Sequence, residues 1–125
     1  MRLFVPTIAI AAVLAAGCNS DATSPNVSIA GSWSLRTLNG SQLPVAVAPG
    51  STIIAERLTL NSDGTYNDVA SYSNGTSFNE FGYYTVSNNL ITFNDQTDNI
   101  QYTGSISGSV LTEVSSQFTS VYQKD

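Results

Sequence analysis

Three acidic residues have the type and spacing to do chemistry. Glu56, Asp68 and Glu80 recur at equal intervals, and the segments between them carry the turn signals Asn61-Ser62-Asp63-Gly64 and Asn74-Gly75. If the first turn pairs Leu60 with Tyr66, Leu58 faces Asp68 and Glu56 faces Ala70. If Asn74-Gly75 centres a hairpin pairing Tyr72 with Phe78, Ala70 faces Glu80, Asp68 faces Gly82 and Tyr66 faces Tyr84. Glu56, Ala70 and Glu80 then form a row across three strands, with the glutamate Cα atoms about 10 Å apart at about 4.8 Å per strand step. Asp68 sits diagonal to both. Inward carboxylates so arranged could line a cavity, bind a cationic ligand or hold Ca²⁺. A β-bulge would instead turn them to solvent, and buried unpaired carboxylates are costly, so both placements stand open.

The rest of the composition narrows the chemistry. The chain has 125 residues, 9 acidic and 4 basic side chains, no histidine and one cysteine, for a formal charge of −5. The length suits one domain. The acidic balance argues against nucleic acid as a partner. Without histidine there is no Ser-His-Asp or Cys-His catalysis, and one cysteine makes neither an internal disulfide nor a zinc cluster. Asp95-Gln96-Thr97-Asp98-Asn99 lacks the spaced acids and closing Glu of an EF-hand loop and reads as a turn. Neither a metal site nor a cofactor is expected there, nor an enzyme activity, because no activated nucleophile or acid–base pair is visible.

The elements that must position the acids are strands. Alternating runs cover residues 31–38, 52–60, 65–72, 76–86, 90–94, 100–107, 110–114 and 117–124, the fourth with a possible break near Gly82. Trp33 with Leu35, Leu58 with Leu60, Tyr84 with Val86, Ile91 with Phe93, Tyr102 with Ile106 and Phe118 with Tyr122 each share a face. Eight strands joined mainly by hairpins predict an all-β fold, an eight-stranded antiparallel up-and-down barrel that closes both sheet edges. Such an interior is filled by side chains or holds one small ligand. Trp33, Tyr66, Tyr84, Phe93 and Tyr102 are therefore candidate ligand contacts beside Glu56, Asp68 and Glu80. Residues 39–50 read as a long loop with Pro44 and Pro49, and its apolar stretch 43–48 as a lid on one barrel mouth or a partner-docking segment.

The N-terminus reads as an address. Arg2 precedes a short apolar run that ends in Leu14-Ala15-Ala16-Gly17-Cys18, too short for a membrane span. This ending resembles a bacterial lipoprotein lipobox, with Ala15 where the family usually has Leu. The resemblance implies cleavage before Cys18, a signal peptide over residues 1–17, and diacylglycerol and acyl chains on Cys18 that insert into membrane lipid. Residues 18–29 form a polar, flexible tether, and residues 30–125 the barrel domain. Ser, Thr and Asn supply 41 of the 108 residues after the cut, a composition that disfavours helices. Asn19, where an Asp would favour inner-membrane retention, implies the outer membrane of the cell envelope if the organism has one.

Gly31-Ser32-Trp33 followed by a long proline-bearing loop resembles the opening of a lipocalin. The order Leu58-x-Leu60-x-x-Asp63-Gly64-Thr65-Tyr66, Gly82-x-Tyr84-x-Val86, Ile91-x-Phe93, Tyr102-x-Gly104-x-Ile106 and Val121-Tyr122-Gln123-Lys124 is similar to small bacterial lipocalin-like lipoproteins over most of residues 31–124. Lipocalins commonly pack a late Arg over the first-strand Trp; here the cations on offer are Lys124 and Arg36. Thr97-Asp98-Asn99 matches only part of the lipocalin Thr-Asp-Tyr turn. The resemblance implies a lipid-anchored barrel that binds a small hydrophobic or amphipathic ligand. The alternative is a filled barrel whose loops bind a protein partner, as in small barrel inhibitors of lysozyme or proteases. A continuous cavity favours the first, and a packed interior with an exposed 43–48 segment the second.

Overall fold

The structure is a computed structural model, which describes residues 29–125. Residues 1–28, with the expected signal peptide, Cys18 and most of the expected tether, lie outside the described residues. Ten strands follow in order: β1 Gly31–Leu38, β2 Ser41–Gln42, β3 Val45–Ala48, β4 Ser51–Leu60, β5 Thr65–Tyr72, β6 Ser77–Ser87, β7 Leu90–Asp95, β8 Ile100–Ser107, β9 Val110–Val114 and β10 Thr119–Lys124. β4 to β10 pair antiparallel in sequence order, β10 pairs with β1, and β1 pairs back to β4. These eight strands close a barrel, as expected from the sequence. Closure pairs β1 with β4 from Gly31 opposite Leu60 to Ser34 opposite Arg57, leaving only the short strands β2 and β3 as sheet edges.

The loop over residues 39–50 is more ordered than its two prolines suggest. β2 pairs with the end of β1, and β3 pairs with the start of β4, where β1 and β4 have splayed apart. Leu43, Val45 and Val47 are half-buried against the core, so the apolar stretch packs down on the barrel. β6 runs unbroken through Gly82.

Two neighbouring turns use one device. Asp63 Oδ1 accepts the Thr65 amide at 3.0 Å and its hydroxyl at 2.7 Å, and Asn74 Oδ1 does the same for Thr76 at 3.0 and 2.7 Å. Gly64 (φ 92°) and Gly75 (φ 91°) supply the left-handed residue that closes each three-residue loop. The first loop pairs Leu60 with Tyr66 as expected. The second corrects the expected register. Tyr72 donates its amide to the Thr76 carbonyl, so Ser71 pairs with Ser77, Ala70 with Phe78, Asp68 with Glu80 and Tyr66 with Gly82. The shift is two residues, and period-two alternation keeps every side chain on its expected face.

Two register irregularities near the seam serve the interior. One in β4 lies between Ile53 and Ala55, expels Ile54 to solvent and leaves Ile53 and Glu56 both facing in. One in β1 between Leu35 and Thr37 does the same for Leu35 and Leu38 around exposed Arg36. Bulges that could have turned the acids out thus precede Glu56 instead.

One end of the barrel is packed solid. Trp33, Leu58, Leu60, Ile91 and Leu111 are fully or almost fully buried there. The Trp33 indole N–H donates to the Ile29 carbonyl at 3.0 Å, and Ile29, assigned to the tether from sequence, joins this core. Lys124, paired across from Trp33 on β10, holds its Nζ 5.9 Å from the ring centroid. It therefore takes the position over the tryptophan, within cation–π range; Arg36 borders an outer groove instead.

Candidate binding site

The other end of the barrel is hollow. A cavity of about 440 Å³ opens there, bounded by the last residues of β1, β5, β7 and β9 and the first of β4, β6, β8 and β10. Its carboxylates are Glu56, Asp68, Glu80, Asp95, Asp98 and Glu113. Its apolar wall comes from Leu38, Ile53, Phe78, Ile100 and Phe118, with Val47 of β3 at the lid. Neither lysine nor arginine lines it. A larger groove of about 770 Å³ lies outside the barrel where β1 and β4 splay, and Glu56 borders both. Most of the groove's walls are outward side chains, including Arg36 and Arg57, and the acids gather in the interior instead, so the interior cavity is the candidate site.

Tyrosine hydroxyls separate the packed core from the acids. Phe93 stacks on Tyr102 (centroids 5.1 Å apart) and meets the edge of Tyr66 (5.0 Å). The Tyr102 hydroxyl donates a short hydrogen bond to Glu80 Oε2, and Tyr66 reaches the same oxygen at 3.3 Å. Tyr122, fully buried, donates to Glu56 Oε2 at 2.6 Å. Gly82 makes this layer possible. A Cβ there would collide with the Asn94 carbonyl and press on the Tyr66 ring. Tyr66 lies across the bare backbone of Gly82, its pairing partner.

The acids are only partly compensated. Asp68 is 8% exposed and Asp95 is 2% exposed. Among the described residues, Asp68 Oδ1, Asp95 Oδ2 and Glu113 Oε2 have no hydrogen-bond partner. Burial, then the negative charge of Glu56, pushes the Asp68 carboxyl well above the usual carboxylate range. Burial, with Glu56 and Glu80 nearby, pushes Glu113 up to about 8. Glu80 is raised by burial, against the stabilising hydrogen bond from Tyr102. Burial also raises the Tyr66, Tyr102 and Tyr122 hydroxyls, which therefore stay protonated donors.

The Asp95–Asn99 segment is a turn, as expected: Asp95 Oδ1 accepts the amides of Thr97 at 2.8 Å and Asp98 at 3.3 Å. The turn also gathers a cluster. Glu80, Asp95 and Asp98 each bring a carboxylate oxygen within 4.8 Å of the others, a spacing at which a positive charge can be shared.

Of the residues singled out from sequence, Glu56, Asp68, Glu80 and Tyr102 line the cavity. Tyr66 touches it through its hydroxyl bonds to Glu80 and Tyr102. Trp33, Tyr84 and Phe93 belong to the packed core, where the Tyr84 hydroxyl donates to the Asn61 carbonyl at 2.6 Å. Sequence reasoning missed Glu113 and read Asp95 and Asp98 only as parts of a turn. Glu113 lies two residues after buried Leu111, and Asp95 two after buried Phe93, so alternation alone places both inward.

An eight-stranded up-and-down barrel, packed at one end and hollow at the other, is a lipocalin-like architecture. The chain resembles the crystal structure of a lipocalin-like protein from Bacteroides uniformis, with a TM-score of 0.55 and 15% identity, over 78% of this chain and 98% of that one. It also resembles an uncharacterized protein from Bacteroides eggerthii, with a TM-score of 0.53 and 12% identity, over 78% and 99% of the two chains. No family model and no curated protein matches the chain. At these identities the likeness is one of fold: the described residues form a lipocalin-like β-barrel, the fold that Gly31-Ser32-Trp33 and the later strand motifs resemble.

Proposed function

We propose that this chain is an exported, lipid-anchored protein of the cell envelope that binds a small amphipathic molecule in the barrel mouth. The observation that carries the reading is the cavity of about 440 Å³, which combines an apolar wall with inward carboxylates at one end of an otherwise packed barrel. This volume is in the range of small-molecule sites. The lipobox-like Leu14-Ala15-Ala16-Gly17-Cys18 supports acylation at Cys18 as the anchor. The chain enters the barrel at its packed end through Ile29 and Trp33, so a tether from Cys18 joins the barrel opposite the mouth and leaves the mouth unobstructed by its attachment. The protein-docking alternative is less well supported, because the 43–48 segment packs onto the barrel instead of projecting from it.

The test is native mass spectrometry of the mature protein purified from its own host. A non-covalent adduct of a few hundred daltons, lost on unfolding, is the expected result. An empty barrel that co-purifies in fixed stoichiometry with a protein instead sinks the ligand-binding reading.

A further inference from the structure

We infer that the mouth cavity is selective for an organic ammonium ion, an amine bearing N–H donors on an apolar body. The inference rests on the small-molecule reading above and names the chemistry of the ligand.

Three observations converge. The first is charge of one sign. Glu56 from β4, Asp68 from β5, Glu80 from β6, Asp95 from β7 and Glu113 from β9 enter one interior from five strands, with Asp98 at the rim and no lysine or arginine on the wall. The second is unsatisfied acceptors. Asp68 and Asp95 are more than nine-tenths buried, and each keeps a carboxylate oxygen without a partner; Glu113 Oε2 is a third. A buried acceptor left unpaired is costly, and a ligand N–H removes that cost. A neutral hydrocarbon cannot do so, and a quaternary ammonium has no N–H to offer. The third is the apolar wall of Ile53, Phe78, Ile100 and Phe118, which suits a hydrocarbon body better than a bare metal ion.

The tyrosines complete the recognition. Tyr102 and Tyr66 already donate to Glu80, and Tyr122 donates to Glu56. One side of the acid layer is therefore satisfied from the core, and the unpartnered oxygens belong to other members of the layer. The layer is also proton-loaded. Asp68, Glu80 and Glu113 hold protons to higher pH than ordinary carboxylic acids, facing Glu56, Asp95, Asp98 and the hydroxyls of Tyr66, Tyr72, Tyr102 and Tyr122. An arriving ammonium favours the ionised form, so binding displaces protons to solvent and strengthens as pH rises from 5 towards 8.

The experiment is calorimetric titration of the mature chain, residues 18–125 carrying Cys18→Ser, with octylammonium, octanol and octyltrimethylammonium. Each is run at pH 7 in two buffers of different ionisation enthalpy, and again with Ca²⁺ alone. The expected result is octylammonium binding at least tenfold tighter than either analogue, with net proton release. An Asp68→Asn/Glu113→Gln variant should lose the preference over octanol while keeping its octanol affinity. Octanol binding as tightly as octylammonium overturns the charge inference and leaves the small-molecule reading standing. Equal binding of the quaternary ion overturns the N–H requirement. Saturable Ca²⁺ binding that excludes octylammonium reassigns the acids to a metal. Absence of any binding overturns this inference and the small-molecule reading together.

Discussion

At the scale of single residues, the interior is organised by what each polar group can find as a partner. Glu80 and Glu56 are held by tyrosine hydroxyls, whereas Glu113 faces other acids with one oxygen unpartnered. Its carboxyl, near 4.5 in an unfolded chain, is pushed to about 8 in the barrel. The folded state therefore binds a proton more tightly than the unfolded state. This contribution to stability is fully present below about pH 4.5 and is lost as pH rises through 8. Asp68 shifts in the same direction for the same reason. Melting temperature should fall between pH 5 and 8, and Glu113→Gln should flatten that slope. The variant should melt higher than the parent by roughly 5 °C at pH 8 and show little difference at pH 5. Thermal melts followed by circular dichroism at the two pH values check this; identical slopes for parent and variant would contradict a buried, proton-holding Glu113.

At the scale of elements, close approach and local irregularity place the acids. β6 and β7 lie so near at Gly82 that a methyl group there meets the Asn94 carbonyl, and the same bare backbone receives the Tyr66 ring. Gly82 is needed for space, since its backbone is ordinary strand. Gly82→Ala should cost about 1–3 kcal/mol as the strand and the ring are forced apart. It should also loosen the Tyr66–Glu80 hydrogen bond. Chemical denaturation gives the first quantity, and near-ultraviolet circular dichroism of the tyrosines reports the second. A stability loss well below 1 kcal/mol would mean that β6 and β7 are not this close. Strand positions were legible in the sequence because alternation is a local signal: β1, β5, β8 and β9 match their expected bounds. The register of the β5–β6 hairpin was not, because it turns on a three-residue loop closed by the Asn74–Thr76 bonds. The two strands within residues 39–50 were hidden for another reason. They are short edges that exist only where β1 and β4 separate.

At the scale of the whole molecule, the barrel has a polarity. Trp33, Ile29 and Lys124 close one end, and the acid-lined cavity opens the other. If the chain is tethered through Cys18, the tether attaches at the closed end, opposite the mouth. Cys18→Ser in the native host should move the protein from the membrane fraction to the soluble exported fraction and abolish incorporation of labelled fatty acid. Its melting temperature should be unchanged, because the barrel starts beyond the tether. Retention of the variant in membranes would show that something other than Cys18 holds the protein there.

What the sequence alone determined was one-dimensional: where strands run and which alternate side chains share a face, while a bulge could still turn Glu56, Asp68 and Glu80 inward or outward. The shared faces follow from covalent geometry, since successive side chains on a strand point opposite ways whatever the rest of the chain does. Only the tertiary structure decided that Glu56, Asp68 and Glu80 face in, that Glu113 on β9 converges on the same acids, that one end is packed and the other hollow, and that Asp68, Glu80 and Glu113 hold protons to higher pH than ordinary carboxylic acids. Those outcomes depend on closure through the β1–β4 seam, which brings strands distant in sequence around one interior and withdraws it from water.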